Sequence, residues 1–391
     1  MPKSAKRGVA FSFTNITDLP LMSPYISWDY NWGNAPTDEA ALWFDSNEMD
    51  YCPMCWNGNY SVDKIRTFVA AHPNTKYLLA FNEPNLTDQA NMTPAQAAAL
   101  WAPVVALAKE LNLKLVSPAM NYGTLAGYHD PVKWLDEFFS QPNVSIDDVY
   151  AISVHCYMSS VSAVKGYIEK FEKYNKPIWL TEFCAWDPVP GSVETQKDYM
   201  CAVLNYLETR PSVERYAWFI PRTSGKVDSP PYMQLLTHDY PAELTELGKM
   251  YCWFSPMDST VWLKTNRPIF AGEYMRVSDT NITLRPSTDA VMNQTGEGLI
   301  VTNMTQGHAL TYQLHLTEAS SKITVRYCGY SNSICEVLVD GKSMQILDLP
   351  SNSSSTDWIE AEGKLALKAG NHTVTLQLFS GNCNISGFTI R

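Results

Sequence analysis

The chain of 391 residues has no run of about 18 apolar residues, so no membrane-spanning helix is predicted. Charged residues make up only 18% of it, and 29 Lys and Arg stand against 40 Asp and Glu, a net charge of −11. So acidic a chain is a poor partner for nucleic acid or anionic membranes, and we expect neither. Aromatic residues are abundant instead, with 12 Trp, 21 Tyr and 14 Phe, which suits stacking on neutral hydroxylated ligands such as sugars.

We also predict no secretory leader in this sequence, because the start MPKSAKRG has basic residues but no apolar core. The sequence nevertheless carries many Asn-x-Ser/Thr sites, at Asn15, Asn59, Asn85, Asn91, Asn143, Asn281, Asn293, Asn303, Asn352, Asn371 and Asn384. Such glycan acceptors are typical of secreted eukaryotic proteins, so we expect a secreted glycoprotein whose signal peptide has been removed, with Met1 in its place. A cytosolic protein with unused acceptor sites is the alternative.

Cysteine is too sparse for a disulfide scaffold, and its count of nine is odd, so at least one thiol stays free. Cys52 and Cys55 form a C-P-M-C pair, but no second pair follows at the spacing of a zinc site, so no metal is expected there. Two disulfides are possible, joining Cys328 to Cys335 and Cys201 to Cys252.

The first two thirds of the chain alternate short apolar runs with amphipathic helical runs. Eight strands are predicted, at 8–13, 25–30, 49–54, 77–81, 113–118, 149–157, 177–183 and 215–220. Helices are predicted near 37–45, 61–71, 94–111 (with a kink at Pro103), 131–140, 161–174, 193–208 and 241–253. Strands separated by helices pair in parallel, and eight such units in about 250 residues match a (β/α)8 barrel. The alternative, a doubly wound open sheet, lacks the G-x-G-x-x-G after its first strand.

After Pro256 the pattern changes to short alternating strands with turn residues and no long helix. Asp340-Gly341 is a typical hairpin signal, and the whole stretch predicts an antiparallel β-sandwich. The predicted fold class is therefore α/β, a (β/α)8 TIM barrel followed by an all-β antiparallel sandwich. The expected boundaries are 1–256 for the barrel, 257–270 for a linker and 271–391 for the sandwich.

Two glutamates follow apolar strands of the predicted barrel, where functional groups gather at the carboxyl ends of the strands. Glu83 ends the fourth strand within Phe81-Asn82-Glu83-Pro84, and Glu182 ends the seventh. Either Glu alone could cap a helix or pair with a cation. Together they favour glycoside hydrolysis, which needs a carboxylic acid to protonate the leaving oxygen and a carboxylate to attack or to activate water.

Further polar and aromatic residues lie at the predicted strand ends. His155 and Tyr157 could hydrogen-bond the nucleophile and keep it ionised, although a structural core histidine is an equal alternative for His155. For some of the tryptophans the barrel core is likewise the alternative. The residues predicted to bind substrate are Asn82, His155, Tyr157, Trp28, Tyr30, Asn31, Trp32, Trp56, Trp186 and Trp218.

An ordered set of motifs resembles glycoside hydrolase family 128. These are WDYNWG at 28–33, LLAFNEPN at 78–85, NMTPAQAAALW at 91–101, LKLVSPAM at 113–120, ISVHCY at 152–157 and KPIWLTEFCAW at 176–186. The resemblance implies a barrel enzyme, most members being retaining β-1,3-glucanases. By position, Glu83 resembles the general acid/base, Glu182 the nucleophile and Asn82 the residue that binds the sugar 2-hydroxyl. His155 and Tyr157 match the family's pair on strand six.

The resemblance implies double displacement on laminarin-type β-1,3-glucan or laminari-oligosaccharides, with the two carboxyl groups about 5–5.5 Å apart. We expect endo action by a monomer that needs no cofactor. The alternatives are an exo-acting or oligosaccharide-acting β-glucanase of the same fold, and a glucan-binding protein that has lost catalysis.

Residues 271–391 resemble a family 6 carbohydrate-binding module, on Ala271-Gly272-Glu273-Tyr274, VLVDGKSM and the closing CNISGF. The resemblance makes Tyr330, Trp358 and Asn384 candidates for glycan binding. A core position is the alternative for Trp358, and a glycan on Asn384 would block binding there. Related modules hold a structural calcium through an early Glu and a late Asp. Here Glu273 is present, but Ser386 stands where the late Asp is expected, so a calcium site would lack one ligand.

Overall fold

The computed structural model describes residues 2–391. Its first eight strands are all parallel and match the eight predicted ones. They are β1 Arg7–Ala10, β2 Trp28–Tyr30, β3 Asp50–Tyr51, β4 Tyr77–Leu79, β5 Lys114–Val116, β6 Ile152–Met158, β7 Ile178–Asp187 and β8 Val213–Trp218.

The strands close into a barrel. Six are hydrogen-bonded in the order β3-β2-β1-β8-β7-β6, and β4 pairs with β5. Parallel bridges at Met54–Leu79 and Val116–Ala151 join the β4–β5 pair to β3 on one side and to β6 on the other. The predicted TIM-barrel fold is confirmed, and it gathers the ends of all eight strands at one mouth.

Helices follow the strands at the predicted places. They are α1 Leu19–Met22, α2 Asp38–Ser46, α3 Val62–Ala71, α4 Pro94–Ala99, α5 Trp101–Glu110, α6 Pro131–Phe139, α7 Val161–Glu169, α8 Val193–Thr209 and α9 Glu246–Trp253. The side chains of Thr37, Ser61 and Thr93 accept the capping bonds of α2, α3 and α4. The helix predicted over 94–111 breaks at Leu100 instead of kinking at Pro103, because Pro103 falls in the first turn of α5, where its missing N–H costs nothing.

The lower part of the barrel interior is filled with aromatic rings around one cation. The guanidinium carbon of Arg215 lies 4.5, 4.8 and 5.5 Å from the ring centroids of Tyr77, Trp179 and Trp28. Arg215 also pairs with Asp50, and both side chains are nearly buried. The ion pair and the three rings together close the floor of the barrel beneath its mouth.

The C-terminal strands form two sheets that are antiparallel, as predicted, except that the short strand Leu263–Lys264 pairs in parallel with Ala309–Leu316. These strands are β9 Leu263–Lys264, β10 Ile269–Phe270, β11 Arg276–Val277, β12 Thr283–Pro286, β13 Leu299–Thr305, β14 Ala309–Leu316, β15 Ser320–Cys328, β16 Ser333–Val339, β17 Lys342–Leu349, β18 Ile359–Leu367, β19 Gly370–Ser380 and β20 Asn382–Ile390, with a short helix α10 at Ala290–Asn293. One sheet runs β12-β13-β20-β15-β18 and the other β11-β14-β19-β16-β17. Asp340 and Gly341 both have positive φ, at 51° and 78°, and make the predicted hairpin turn.

Two compact units emerge from the packing. One comprises Ala5–Val193 and Arg210–Leu244, and the other comprises residues 2–4, Glu194–Thr209 and Thr245–Arg391. The second unit thus includes nearly all of α8 and α9 with the sandwich, whereas the expected boundaries place both helices in the barrel domain. Those boundaries stay a prediction. In residues 2–391 we find no helix both long and apolar enough to span a membrane.

The cysteines correct the disulfide expectation. All nine, including Cys328, Cys335, Cys201 and Cys252, are free and buried. Burial raises the pKa of Cys201 to about 12 and that of Cys328 to about 11, so these thiols stay protonated inside the core.

We predict that Arg215→Met destabilises the barrel by about 3 kcal/mol, because the carboxylate of Asp50 loses its buried partner and keeps only the exposed ammonium of Lys76, 3.0 Å away. Denaturant unfolding followed by tryptophan fluorescence measures this. The matched control is Arg66→Met, which breaks an exposed ion pair with Glu110 and should leave the midpoint essentially unchanged. Equal midpoints for both variants would contradict this view of the barrel floor.

Candidate active site

Glu83 lies just beyond β4 and turns into the barrel mouth. Its backbone has φ 43°, a left-handed conformation that costs a non-glycine residue about 1–3 kcal/mol and is concentrated at functional sites. A hydrogen bond of 3.0 Å from its N–H to the carbonyl of Ala119 holds it there. The side chain is only 6% exposed, and its Oε1 accepts from Nδ2 of Asn121 at 3.0 Å.

Glu182 points into the same mouth because β7 contains an irregularity. Val154 pairs with Leu180 and His155 pairs with Glu182, so Thr181 is an extra residue in the ladder. Such a bulge shifts the inward and outward alternation by one residue. Trp179 belongs to the barrel interior, and the shift returns Glu182 to that side.

The carboxylate of Glu182 is surrounded by donors. Its Oε1 accepts from the Tyr30 hydroxyl at 3.0 Å and from the Trp32 indole N–H at 2.7 Å. Its Oε2 accepts a short bond from the Tyr157 hydroxyl. Burial, and then the charge of Glu182, raise the pKa of both tyrosines well above the ordinary value, so they remain protonated donors.

His155 lies between the two glutamates. Its Nδ1 is 2.8 Å from Oε1 of Glu83 and 3.3 Å from Oε2 of Glu182, and its ring is fully buried. Burial disfavours the imidazolium, but the charges of Glu182 and Glu83 outweigh burial and raise the pKa of His155. Burial likewise acts to raise the pKa of Glu83, yet the charge of His155 and the hydrogen bonds from His155 and Asn121 hold it below its ordinary value.

The three side chains are close enough to act on one bond. A ring nitrogen of His155 and one carboxylate oxygen each of Glu83 and Glu182 all lie within 4.8 Å of one another. Although such a triad has the residue types of a metal site, every described donor around it is a neutral or cationic group aimed at a carboxylate. The arrangement can therefore supply one carboxyl group for proton transfer and a second one for attack or for activation of water.

A groove of about 660 Å³ opens above this triad. Its lining residues are Trp32, Trp56, Asn82, Glu83, Leu86, Gln89, Asn121, Tyr157, Glu182, Trp186, Asp187, Phe219 and Ile220. Four of the rings contact one another through Phe219, which lies 5.5 Å from Tyr157, 5.9 Å from Trp32 and 6.2 Å from Trp186. Aromatic walls with a few polar groups are what a flat, hydroxylated ring requires.

Four predicted substrate contacts are corrected. Trp28 is buried in the barrel floor, where its indole N–H donates to the carbonyl of Lys6. Trp218 is buried too, because alternation along β8 turns it outward, and its indole N–H donates to the carbonyl of Met233. Tyr30 is buried and acts on Glu182, and the Asn31 side chain is occupied by Gly33 and Tyr51 outside the groove lining.

Of the two aromatic residues at the end of the eighth predicted strand, Trp218 and Phe219, it is Phe219, just beyond β8, that lines the groove. Sequence reasoning missed other groove residues. Asn121 follows β5 within SPAMNYG, so the strand-end argument used for the glutamates could have found it. Gln89, which accepts from Nδ2 of Asn82 at 3.1 Å, lies in a loop with no sequence signal.

In the second unit, the three glycan-binding candidates lie at one end of one sheet. Asn384 pairs with Cys328 at the end of β15, Tyr330 follows two residues later, and Trp358 immediately precedes β18. Tyr330 is 71% exposed and Trp358 is half-buried. Asn384 is less available than expected, because Nδ2 contacts Cys328 Sγ and the carbonyl of Ser355.

The residues considered for calcium do not fit the ion. Both carboxylate oxygens of Glu273 accept from the guanidinium of Arg267, at 2.6 and 2.8 Å, and one also accepts from the N–H of Phe270. Ser386 is fully buried and offers only a hydroxyl. A hard cation would have to displace a bidentate arginine from its one carboxylate ligand.

Comparison with known proteins agrees with this geometry. Residues 8–251 match the family model of the glycosyl hydrolase catalytic core, and residues 278–391 match that of carbohydrate-binding module family 6. The crystal structure of a family 128 (subgroup II) endo-β-1,3-glucanase from Pseudomonas viridiflava is similar, with 38% sequence identity and a TM-score of 0.58. The aligned region covers 64% of this chain and 98% of the Pseudomonas chain.

Two further relatives are more distant. A family 128 (subgroup V) exo-β-1,3-glucanase from Cryptococcus neoformans is 26% identical over 63% of this chain and 98% of its own, with a TM-score of 0.50. Alkali-sensitive linkage protein 1 of Schizosaccharomyces pombe is 29% identical over 241 residues, 56% of this chain. The match spans only 39% of that protein's length. The chain thus belongs to glycoside hydrolase family 128, its catalytic core followed by a family 6 carbohydrate-binding module.

Proposed function

We propose that this protein is a retaining hydrolase of β-1,3-glucan. The observation that carries the proposal is the separation of at most 4.8 Å between facing oxygen atoms of Glu83 and Glu182. Retaining glycosidases hold the two carboxyl groups about 5–5.5 Å apart, whereas inverting enzymes need about 6.5–9.5 Å to admit a water molecule. The β-1,3-glucanase activity of the Pseudomonas and Cryptococcus relatives supports the substrate class.

The proposed reaction has two steps. An oxygen of Glu182 bonds to the anomeric carbon as the glycosidic bond breaks, and the leaving oxygen takes that bond's electron pair and a proton from Glu83. Glu83 then removes a proton from water, whose oxygen displaces Glu182 and restores the β-configuration. Tyr30, Trp32 and Tyr157 donate to the oxygens of Glu182 and hold its carboxylate in place for the first step.

We further propose endo action, since the more similar relative is endo-acting. The groove of about 660 Å³ is wide for a single sugar ring. The exo-acting relative makes chain-end cleavage the competing outcome. We also propose that no cofactor takes part and that the protein acts as a monomer.

For the second unit we propose glucan binding at the end that carries Tyr330 and Trp358. An aromatic ring as exposed as Tyr330 offers a face for stacking, and the neighbouring Trp358 adds a second. Asn384 is withdrawn from this proposal, because its amide hydrogens are used within the protein.

Secretion as a glycoprotein also stays a proposal. Seven of the acceptor asparagines are exposed, at positions 59, 91, 143, 281, 293, 303 and 371. Asn85 cannot carry a glycan in the folded protein, because it is fully buried and its amide donates to the carbonyl of Asn121 at 2.6 Å.

We predict that Glu83→Gln lowers kcat on laminarin by about 10²–10⁴-fold and that Glu182→Gln lowers it at least as much, because each removes a group that bonds or transfers a proton in the reaction. Reducing-sugar release measures both. Glu110→Gln, an exposed surface change, is the control and should keep full activity. Near-normal activity in either groove variant would refute the assigned roles.

We predict that the first product of laminarihexaose hydrolysis is the β-anomer, since two displacements at one carbon restore its configuration. Proton NMR recorded within the first minutes reads the anomer, and chromatography of the same reaction reads chain length. Endo action gives a mixture of internal fragments. An initial α-anomer would contradict the retaining mechanism, and glucose alone would contradict endo action.

We predict that Tyr330→Ala weakens binding to insoluble β-1,3-glucan about tenfold through loss of a stacking ring. Pull-down in a Glu182→Gln background measures binding without hydrolysis. Phe379→Ala removes another exposed aromatic ring, 64% accessible, and should leave binding unchanged. If the two variants bind alike, Tyr330 has no special part in glucan binding.

A further inference from the structure

Asn121 holds a fixed orientation against Glu83. Its Oδ1 accepts from the backbone N–H of Tyr122 at 2.8 Å, and its Nδ2 lies 3.0 Å from Oε1 of Glu83. Because a backbone N–H can only donate, the amide cannot be turned over without losing a bond. Asn121 therefore presents an N–H to Glu83 and never an acceptor.

The backbone of Asn121 is anchored as firmly as its side chain. Its carbonyl accepts from Nδ2 of the buried Asn85 at 2.6 Å, and Asn85 also donates to the carbonyl of Tyr128 at 3.3 Å. Gly123 fits closely there, since a Cβ atom on it would lie 2.4 Å from the carbonyl oxygen of Asn85. The donor that faces Glu83 is thus built into the loop after β5.

The second donor to the same oxygen is His155. Its Nδ1 faces two carboxylate oxygens, of Glu83 and of Glu182, and so it carries the proton between them. Oε1 of Glu83 then accepts from both Asn121 and His155, which leaves Oε2 as the oxygen that can hold an acidic proton. The other ionisable groups near Glu83 are the carboxyl group of Glu182 and the hydroxyls of Tyr30, Tyr157 and Tyr167, whose pKa values rise through burial and, in part, through the charge of Glu83.

We propose that Asn121 is a positioning residue of the acid/base, which with His155 keeps Oε1 of Glu83 as an acceptor so that Oε2 delivers the proton. The proposal rests on the retaining hydrolase function proposed above. In the first step the O–H bond of Oε2 breaks, the proton passes to the glycosidic oxygen, and Glu83 is left as the carboxylate. A hydrogen bond to that carboxylate favours the charged form, so Asn121 also sets the pH at which Glu83 loses its proton.

If Asn121 had a purely structural role, the two variants Asn121→Asp and Asn121→Ala would rank differently in how strongly they harm activity. Asn121→Asp is isosteric and keeps an oxygen for the N–H of Tyr122, but it replaces the donor facing Glu83 by a carboxylate. Asn121→Ala loses both interactions. If Asn121 only tied the loop, alanine would be the more harmful change and neither variant would shift the pH profile.

The experiment measures kcat/KM against pH for the full chain and both variants, on laminaritetraose and on 2,4-dinitrophenyl β-laminaribioside. On laminaritetraose, we expect the fall of kcat/KM at alkaline pH to shift to higher pH. The shift should be about one pH unit in Asn121→Ala and larger in Asn121→Asp, because the acidic form of Glu83 then persists to higher pH. We expect activity on laminaritetraose to fall at least tenfold relative to the aryl glycoside, whose leaving group needs no proton.

The outcomes are distinct. An unshifted alkaline limb, or equal losses on the two substrates, overturns the proposal. If one variant fails to fold, judged by its melting temperature, the other still decides, because both must move the limb in the same direction. Wild-type protein inactive on both substrates would instead refute the proposed function itself.

Discussion

Two buried carboxylates within 4.8 Å of each other are the feature on which the rest of the catalytic unit depends. Like charges so close together and so little exposed to water repel strongly unless donors and a cation surround them. His155 lies between them with a pKa that their charges raise against the effect of burial, and Tyr30, Trp32, Tyr157 and Asn121 supply further donors. Every one of these groups comes from a barrel strand or the loop after it, so the barrel is what makes the cluster possible.

The donors are divided between the two glutamates in a way that separates their roles. Both oxygens of Glu182 accept from fixed donors, which hold this carboxylate in one orientation towards the groove. Only one oxygen of Glu83 is bonded in this way, which leaves the other free to exchange a proton with substrate or water. Two residues of one type thus acquire different chemistry from their surroundings.

Much of this arrangement could be predicted from the sequence, because apolar strand runs that end in Glu83 and Glu182 follow the rule that functional groups lie at the carboxyl ends of barrel strands. The prediction is wrong for Trp218, because its outward turn depends on the ladder hydrogen bonds of β8, which no single-sequence pattern records. The bulge at Thr181, which turns Glu182 inward, likewise has no signal in the sequence. Trp28 was misplaced for a related reason, since the inward positions of a strand lie at different depths and only the upper ones reach substrate.

The central claim is that Glu182 becomes covalently attached to the sugar. The most direct measurement is mass spectrometry of peptides after incubation with a 2-deoxy-2-fluoro-β-laminaribiosyl fluoride, which slows the second step and lets the intermediate accumulate. The account predicts one added fluoroglycosyl unit per chain, on the peptide that contains Glu182. A chain that turns over the natural glucan yet carries no label, or carries it on Glu83, would contradict the account.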